Sequence, residues 1–224
     1  MLKEKLESLK IGRQTRGYIG ASVLGHSCDR YIWLNKLPEL KYEIDFKTSY
    51  IFDMGNATES FLLESIKLLG DVEILDTQTE LKLPYVEGHV DGIIKINGDD
   101  LYILEAKSMK KEYFTKLEKK GVFETHFSYW IQCQIYLYIA IKILNQPIKG
   151  VILLVMNKND SSLYQEIINL SEDQAPLFVD KAKRLFDMQE MPIGLYSANE
   201  MPNFQCIRCF FKDFFFFLNV DISV

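Results

Sequence analysis

The chain has 224 residues, 48% of them hydrophobic, and a formal net charge of −5. These values suit one domain, or one domain with a small appendage, and a real core. They exclude a broadly basic nucleic-acid coat protein but leave room for a local basic track. No apolar run reaches the ~20 residues of a membrane helix. Residues 1–8 are charged and amphipathic and lack the apolar stretch of a signal peptide, so the sequence predicts a cytoplasmic protein with no membrane partner. Four cysteines in such a chain point to metal, redox chemistry or plain burial rather than to disulfides.

Residues 1–10 read as a helix or a frayed end. Between residues 20 and 34 a polar turn leads into apolar helical spacing, with Ser27 or Asp29 as the candidate cap. Residues 49–69 predict a helix that turns Ile51, Phe52, Phe61, Leu62, Ile66 and Leu69 toward a core. The period then changes to that of strands at residues 72–83 and 86–96, followed by the hairpin signal Asn97-Gly98 and a strand at 101–107. A Lys-rich helix at 110–120 stops at Gly121, and another helix covers 127–144. Residues 151–156 are continuously apolar, as in a buried central strand, and 165–170 can pair beside them. Ser171 opens a capped helix that runs to about Met188. The sum is an α/β fold, a mixed sheet flanked by helices.

Chemistry concentrates in His89-Val90-Asp91-Gly92 and Glu105-Ala106-Lys107. Strand alternation points Glu105 and Lys107 the same way, and the hairpin sets Asp91 across from Glu105. Two carboxylates, the Ala106 carbonyl and one ammonium would then converge. Hard oxygen ligands of this kind hold a divalent cation, which offsets phosphate charge and lowers the pKa of bound water. Lys107 would orient that water or stabilise charge at the phosphate. It would act as a base only with a lowered pKa. An Asp…Glu-x-Lys triplet in isolation is more often a solvated strand pair. Here the apolar flanks Leu101, Ile103 and Leu104 make the charges interrupt a buried strand, which is costly unless they are paired or bind metal. His89 shares the face of Asp91. A packed strand residue is its bland reading, a supporting role behind Asp91 the functional one.

These residues resemble the pattern of the PD-(D/E)XK nuclease superfamily, in particular the RecB-like exonucleases of phage type. Asp91 matches its first acidic residue and Glu105 and Lys107 its E-x-K, with Val90 standing where the usual Pro would be. A Gly-x-x-x-Glu motif is similar at Gly55 and Glu59, preceded by Phe52. A Gln-x-x-x-Tyr motif appears at Gln132 and Tyr136. Gln134 and Tyr138 fit the same spacing, and the surrounding sequence favours the first frame. Asn157-Lys158-Asn159 also resembles phage members, and the likeness covers roughly residues 20–210. It implies a restriction-endonuclease-like core in a domain of residues 1–205 with an N-terminal helical portion, followed by a cysteine-containing segment at 206–224. It implies Mg²⁺ or Mn²⁺ on Asp91, Glu105, Ala106 and Glu59, with Gln132 and Tyr136 completing the catalytic set. The expected activity is exonucleolytic hydrolysis of DNA for recombination, repair or replication of a phage-type genome, in the host cytoplasm. A recombination or single-strand-binding protein is the partner this implies. A structure-specific endonuclease and a non-catalytic DNA-binding module are the alternatives, and the sequence leaves the oligomeric state open.

Lys110, Lys111 and Lys116 follow the E-x-K strand. Glu112 and Glu118 interleave with them, so a solvated helix face competes with a phosphate-gripping one. Cys28, Cys206 and Cys209 resemble three of the four ligands of the iron–sulfur cluster that some RecB-like exonucleases carry. The expected fourth cysteine is missing, which weighs against a bound cluster. Zinc on the same thiolates with His26 is the other metal reading. The four Phe at 214–217 make an uncomfortable exposed end.

Overall fold

The computed structural model describes residues 1–194 and 209–211. Its elements run α1 (Leu2–Glu7), β1 (Lys10–Arg16), β2 (Ile19–Gly20), α2 (Ala21–Leu24), α3 (Asp29–Lys36), β3 (Pro38–Asp45), α4 (Phe46–Ile66), β4 (Val72–Leu83), β5 (Val86–Ile96), β6 (Asp100–Met109), α5 (Lys111–Thr125), α6 (Phe127–Leu137), β7 (Ile148–Asn157), β8 (Leu163–Ile168) and α7 (Gln174–Asp187). A π-helical segment, Tyr138–Ile143, extends α6. The expected mixed sheet flanked by helices is observed.

Six strands form that sheet. β5 lies between β4 and β6, and β6 continues to β7 and β8. The β5–β6 hairpin turns at Asn97 and Gly98, whose φ values of 52° and 95° suit the tight turn that the dipeptide favours. β6 and β7 are parallel, so α5 and α6 serve as the crossover between them. Both faces of the central strands are covered, which explains their continuous apolar sequence. Ile103, Val151, Leu153 and Val155 face the main core with Ile131, Ile135 and Leu137 of α6. Leu104 and Ile152 face the other way, onto Leu63 of α4. Each such buried aliphatic side chain contributes on the order of 1.5–3 kcal/mol.

The pairing of β5 leaves one gap. β4 runs along one edge of it from Val86 to Ile96. On the other edge β2 pairs parallel with Val86 and Glu87, and β6 pairs antiparallel only from Gly92 onward. Residues 88–91 therefore have no strand partner on that edge. Tyr136 of α6 fills the space. A Cβ on Gly88 would lie 2.6 Å from a ring carbon of Tyr136 and 3.1 Å from the Ala21 Cβ.

Several sequence expectations are corrected. Neither Ser27 nor Asp29 caps α3; its N-cap is Cys28, without a side-chain bond. α4 begins at Phe46, three residues before the expected start, because the Asp45 carboxylate accepts the Thr48 N–H at 2.7 Å. On α4 Leu62 is buried as expected, but Ile51, Phe52 and Phe61 are exposed, Phe61 by 62%, and the helix ends at Ile66, before the exposed Leu69. Only Ser49, Leu62 and Leu63 of the helix are buried, so its apolar periodicity overstates its burial. The N-terminal portion is not only helical. β1 and β3 form a separate antiparallel ribbon, which sequence patterning misses because most of β1 is polar and exposed on both faces. The last helix starts at Gln174 with Asp173, not Ser171, as its N-cap, although the Ser171 Oγ accepts the Gln174 N–H at 3.3 Å. The domain boundary at 205 and 206 lies outside the described residues.

Gly88→Ala is expected to lower stability by about 1–3 kcal/mol, since the methyl group must displace Tyr136 or Ala21. Urea unfolding would check this, and a midpoint equal to that of the parent would contradict the packing argument.

Candidate active site

The gap beside residues 88–91 gathers the charged side chains. Continuing the β5–β6 register by one step would pair Asp91 with Glu105, but the ladder stops at Gly92 and Leu104. Instead the Asp91 carboxylate accepts the Ala106 N–H at 2.7 Å, taking the place of a strand carbonyl. That bond fixes the Glu105–Ala106 peptide, directly before the Ala106 carbonyl. Lys107 donates to that carbonyl at 3.3 Å and ion-pairs with Glu105. Glu105 is 1% exposed.

α6 approaches from one side. Gln132 Nε2 donates to Glu105 Oε1 at 2.8 Å and to the Tyr136 hydroxyl at 2.9 Å. Tyr136 in turn donates to the His89 carbonyl at 2.9 Å, satisfying a backbone acceptor in the gap. Gln134 points elsewhere, accepting the Ser171 N–H at 2.7 Å and donating to the Asn169 carbonyl at 2.9 Å. Of the two Gln-x-x-x-Tyr frames, the one at Gln132 and Tyr136 therefore meets Glu105. α4 brings Glu59, whose carboxyl is hydrogen-bonded to Asp91 and accepts from Gln78 Nε2 at 2.6 Å. A Cβ added to Gly55, one turn earlier, would meet nothing within 4 Å, so the helix face leading to Glu59 is bare.

Burial sets the electrostatics. It raises the pKa of Asp91, against the pull of Lys107 and of the Ala106 N–H. Glu59 is also raised, by burial and then by the negative charge of Asp91. Glu105 is pushed up to about 7, again chiefly by burial. For Lys107 burial acts downward, but the carboxylates of Glu105 and Asp91 outweigh it and hold the ammonium above its ordinary range. Lys107 is thus held as a charged donor by the carboxylates beside it. Glu105 Oε2 is buried with no hydrogen-bond partner. Glu59, Asp91 and Glu105 do not themselves form a group of ligand atoms all within 4.8 Å of one another, but an orphaned buried carboxylate oxygen one residue from the Ala106 carbonyl is the hard-oxygen chemistry that a divalent cation takes.

The other predicted residues divide. Among the described residues, one group of three has ligand atoms all within 4.8 Å of one another, and it is Glu80, Glu87 and His89. This possible metal-binding group lies on β4 and β5, where Glu80 pairs with His89 across the strands. Lys82 partly neutralises it by pairing with Glu80. Cys28, Cys209 and His26 do not form such a group among the described residues, and His26 Nδ1 accepts the Cys28 N–H at 3.0 Å. Cys206 lies outside the described residues, as does the Phe-rich stretch. Lys110, Lys111 and Lys116 are exposed at the start of α5 and along it. Asn159 anchors that start by accepting the Lys111 N–H at 2.9 Å, and Asn157 holds the same loop through the Asn159 N–H at 3.0 Å.

Sequence reasoning missed two contributors. Gln78 carries no motif; only its positive φ of 54° marks the strand irregularity that turns it to Glu59. Tyr129 was legible in principle, because it lies three and seven residues before Gln132 and Tyr136 on one helix face. Its ring lies 5.8 Å from the Lys107 ammonium.

No family model matches the sequence, and no curated protein does. The SSO0001 crystal structure is similar with a TM-score of 0.51 and 19% identity, covering 95% of this chain and 92% of that one. The alkaline exonuclease LHK-Exo of Laribacter hongkongensis is similar with a TM-score of 0.51 and 12% identity, over 75% of this chain and 86% of that one. At these identities the likeness establishes a shared α/β fold.

The raised carboxyls fix a sign. Folding favours their neutral forms, so their contribution is complete below the ordinary carboxylate pKa of ~4 and is lost as pH rises through the raised values, about 7 for Glu105. Lys107 stays charged throughout. Metal-free protein is expected to lose stability between about pH 5 and about pH 7, and Asp91→Asn to reduce that loss. Urea midpoints at the two pH values would show it, and identical pH slopes in parent and variant would count against the assignment.

Proposed function

We propose that the chain is a metal-dependent deoxyribonuclease that hydrolyses phosphodiester bonds at the Asp91, Glu105 and Lys107 centre. The observation that carries this reading is the buried, unpartnered Glu105 Oε2 beside Asp91 and Lys107. Mg²⁺ or Mn²⁺ would be held by Asp91, Glu105 and the Ala106 carbonyl, with Glu59 completing the set. When bound, such a cation offsets phosphate charge and acidifies water. Lys107, 24% exposed, directs an ammonium toward the substrate phosphate and stabilises the charge that develops there. Gln132 locks the Glu105 carboxylate, and Tyr136 locks Gln132 to the β5 backbone. Glu59 and Asp91 act as ligands in their ionised forms, and burial raises the pKa of both, so a bound cation would favour loss of their protons.

The motif order supports an exonuclease acting at DNA ends in recombination, repair or replication, with phage-type relatives. LHK-Exo, whose fold this chain shares, also has a crystal structure in complex with dAMP. Lys110 and Lys111 add positive charge directly after the catalytic strand.

Linear DNA incubated with Mg²⁺ is expected to be degraded. Asp91→Ala and Lys107→Ala are each expected to lose at least ~100-fold in rate. Variants as active as the parent would refute the site. Closed circular DNA is expected to survive, and its linearisation would replace the exonuclease with an endonuclease.

A further inference from the structure

Beside Lys107 the corner between α5 and α6 carries aromatic rings that the hydrolytic centre does not use. The Lys107 ammonium lies 5.8 Å from the Tyr129 centroid. The Tyr129 and His126 rings are nearly parallel, at 12° and 5.4 Å. Tyr113 meets His126 edge-on at 6.2 Å, and the Lys116 ammonium stands 6.0 Å from the Tyr113 centroid. The succession is cation, three rings, cation, and it begins at the proposed catalytic lysine.

Core packing accounts for this corner only in part, since Tyr129 lies against the main core while the other two rings do not belong to it. Tyr113 is 50% exposed, and His126 and Tyr129 are only half-buried. Near-parallel rings whose centroids are 5.4 Å apart are offset, so part of each face stays uncovered. Both lysines stand near the outer limit of a cation–ring contact, about 6 Å, which leaves their ammoniums available to anions. Burial and the Lys116 charge hold the His126 pKa below its usual value, so its ring presents a neutral face at neutral pH.

Alternating cations and open aromatic faces match the chemistry of an unpaired polynucleotide, with phosphates on the lysines and bases on the rings. A duplex keeps its base faces stacked inside and has none to offer. We propose that Tyr113, His126 and Tyr129 form a stacking platform that seats the bases of a single DNA strand whose phosphate lies at Lys107. The substrate class in this proposal rests on the nuclease reading above. The platform continues that site along α5 and assigns it a preference for unpaired over paired ends.

The test measures binding by the full chain in EDTA, where no cleavage occurs. Fluorescence anisotropy compares a labelled oligothymidine with an abasic strand of the same length, which keeps the phosphates and lacks the bases. The parent is expected to bind oligothymidine about tenfold more tightly than the abasic strand. Tyr113→Ala is expected to erase most of that difference and Tyr113→Trp to retain it. Equal affinity of the parent for both strands, an undiminished preference in Tyr113→Ala, or its loss in Tyr113→Trp would each overturn the platform. A chain that shows the preference but never cuts DNA sinks the nuclease reading and leaves the platform standing. A chain that cuts DNA and ignores bases does the reverse.

Discussion

The unpaired edge of β5 at residues 88–91 governs the rest of the site. β2 and β6 share that edge but do not meet, so backbone groups in the heart of the sheet need partners from elsewhere. Tyr136 answers the His89 carbonyl and Asp91 answers the Ala106 N–H. A carboxylate used as a substitute for a strand carbonyl carries its charge into the sheet. From that buried position follow the raised pKa of Asp91, its hydrogen bond with Glu59 and the pull on Lys107. Gly88 is the steric condition for the arrangement, because any side chain there would expel the tyrosine.

Charge balance gives the centre its direction. Three carboxyls, of Glu59, Asp91 and Glu105, face one ammonium, and burial opposes the ionisation of all three. Without a cation the surplus negative charge is held down by protonation. Burying charges without full compensation costs several kcal/mol per ion, so the assembly is built less for stability than for receiving positive charge. The Glu80, Glu87 and His89 group on β4 and β5 lies outside this network and has its own neutralising lysine.

Much of this was legible in the sequence where two signals agreed. β4 and β5 match their expected residues because alternation and the Asn97-Gly98 turn point the same way. The convergence of Asp91 with Glu105 follows from the same hairpin, although the register shows the pair facing across a parted ladder rather than within it. Gln132 and Gln134 were separable only once α6 had been placed, since spacing alone fits both. α4 misled because helical periodicity reports which residues share a face and not whether anything covers it; Phe61 lies on such an uncovered stretch. The β1–β3 ribbon left no trace in hydropathy, because its strands are held by backbone pairing and by one small cluster rather than by an alternating apolar face. Gln78 was invisible because its role comes from a backbone twist.

That small cluster joins distant parts of the chain. Trp33 and Leu34 of α3 pack with Phe211, and Tyr31 and Tyr42 lie against the same ring. The Trp33 indole also donates to the Met188 carbonyl at 3.1 Å. Closing so long a loop costs only slightly more than closing a shorter one, because the entropic cost grows with the logarithm of its length. A change at Trp33 or at Phe211 therefore reaches the other across most of the chain, and the ribbon on the N-terminal side of the domain is held by residues far from it in sequence.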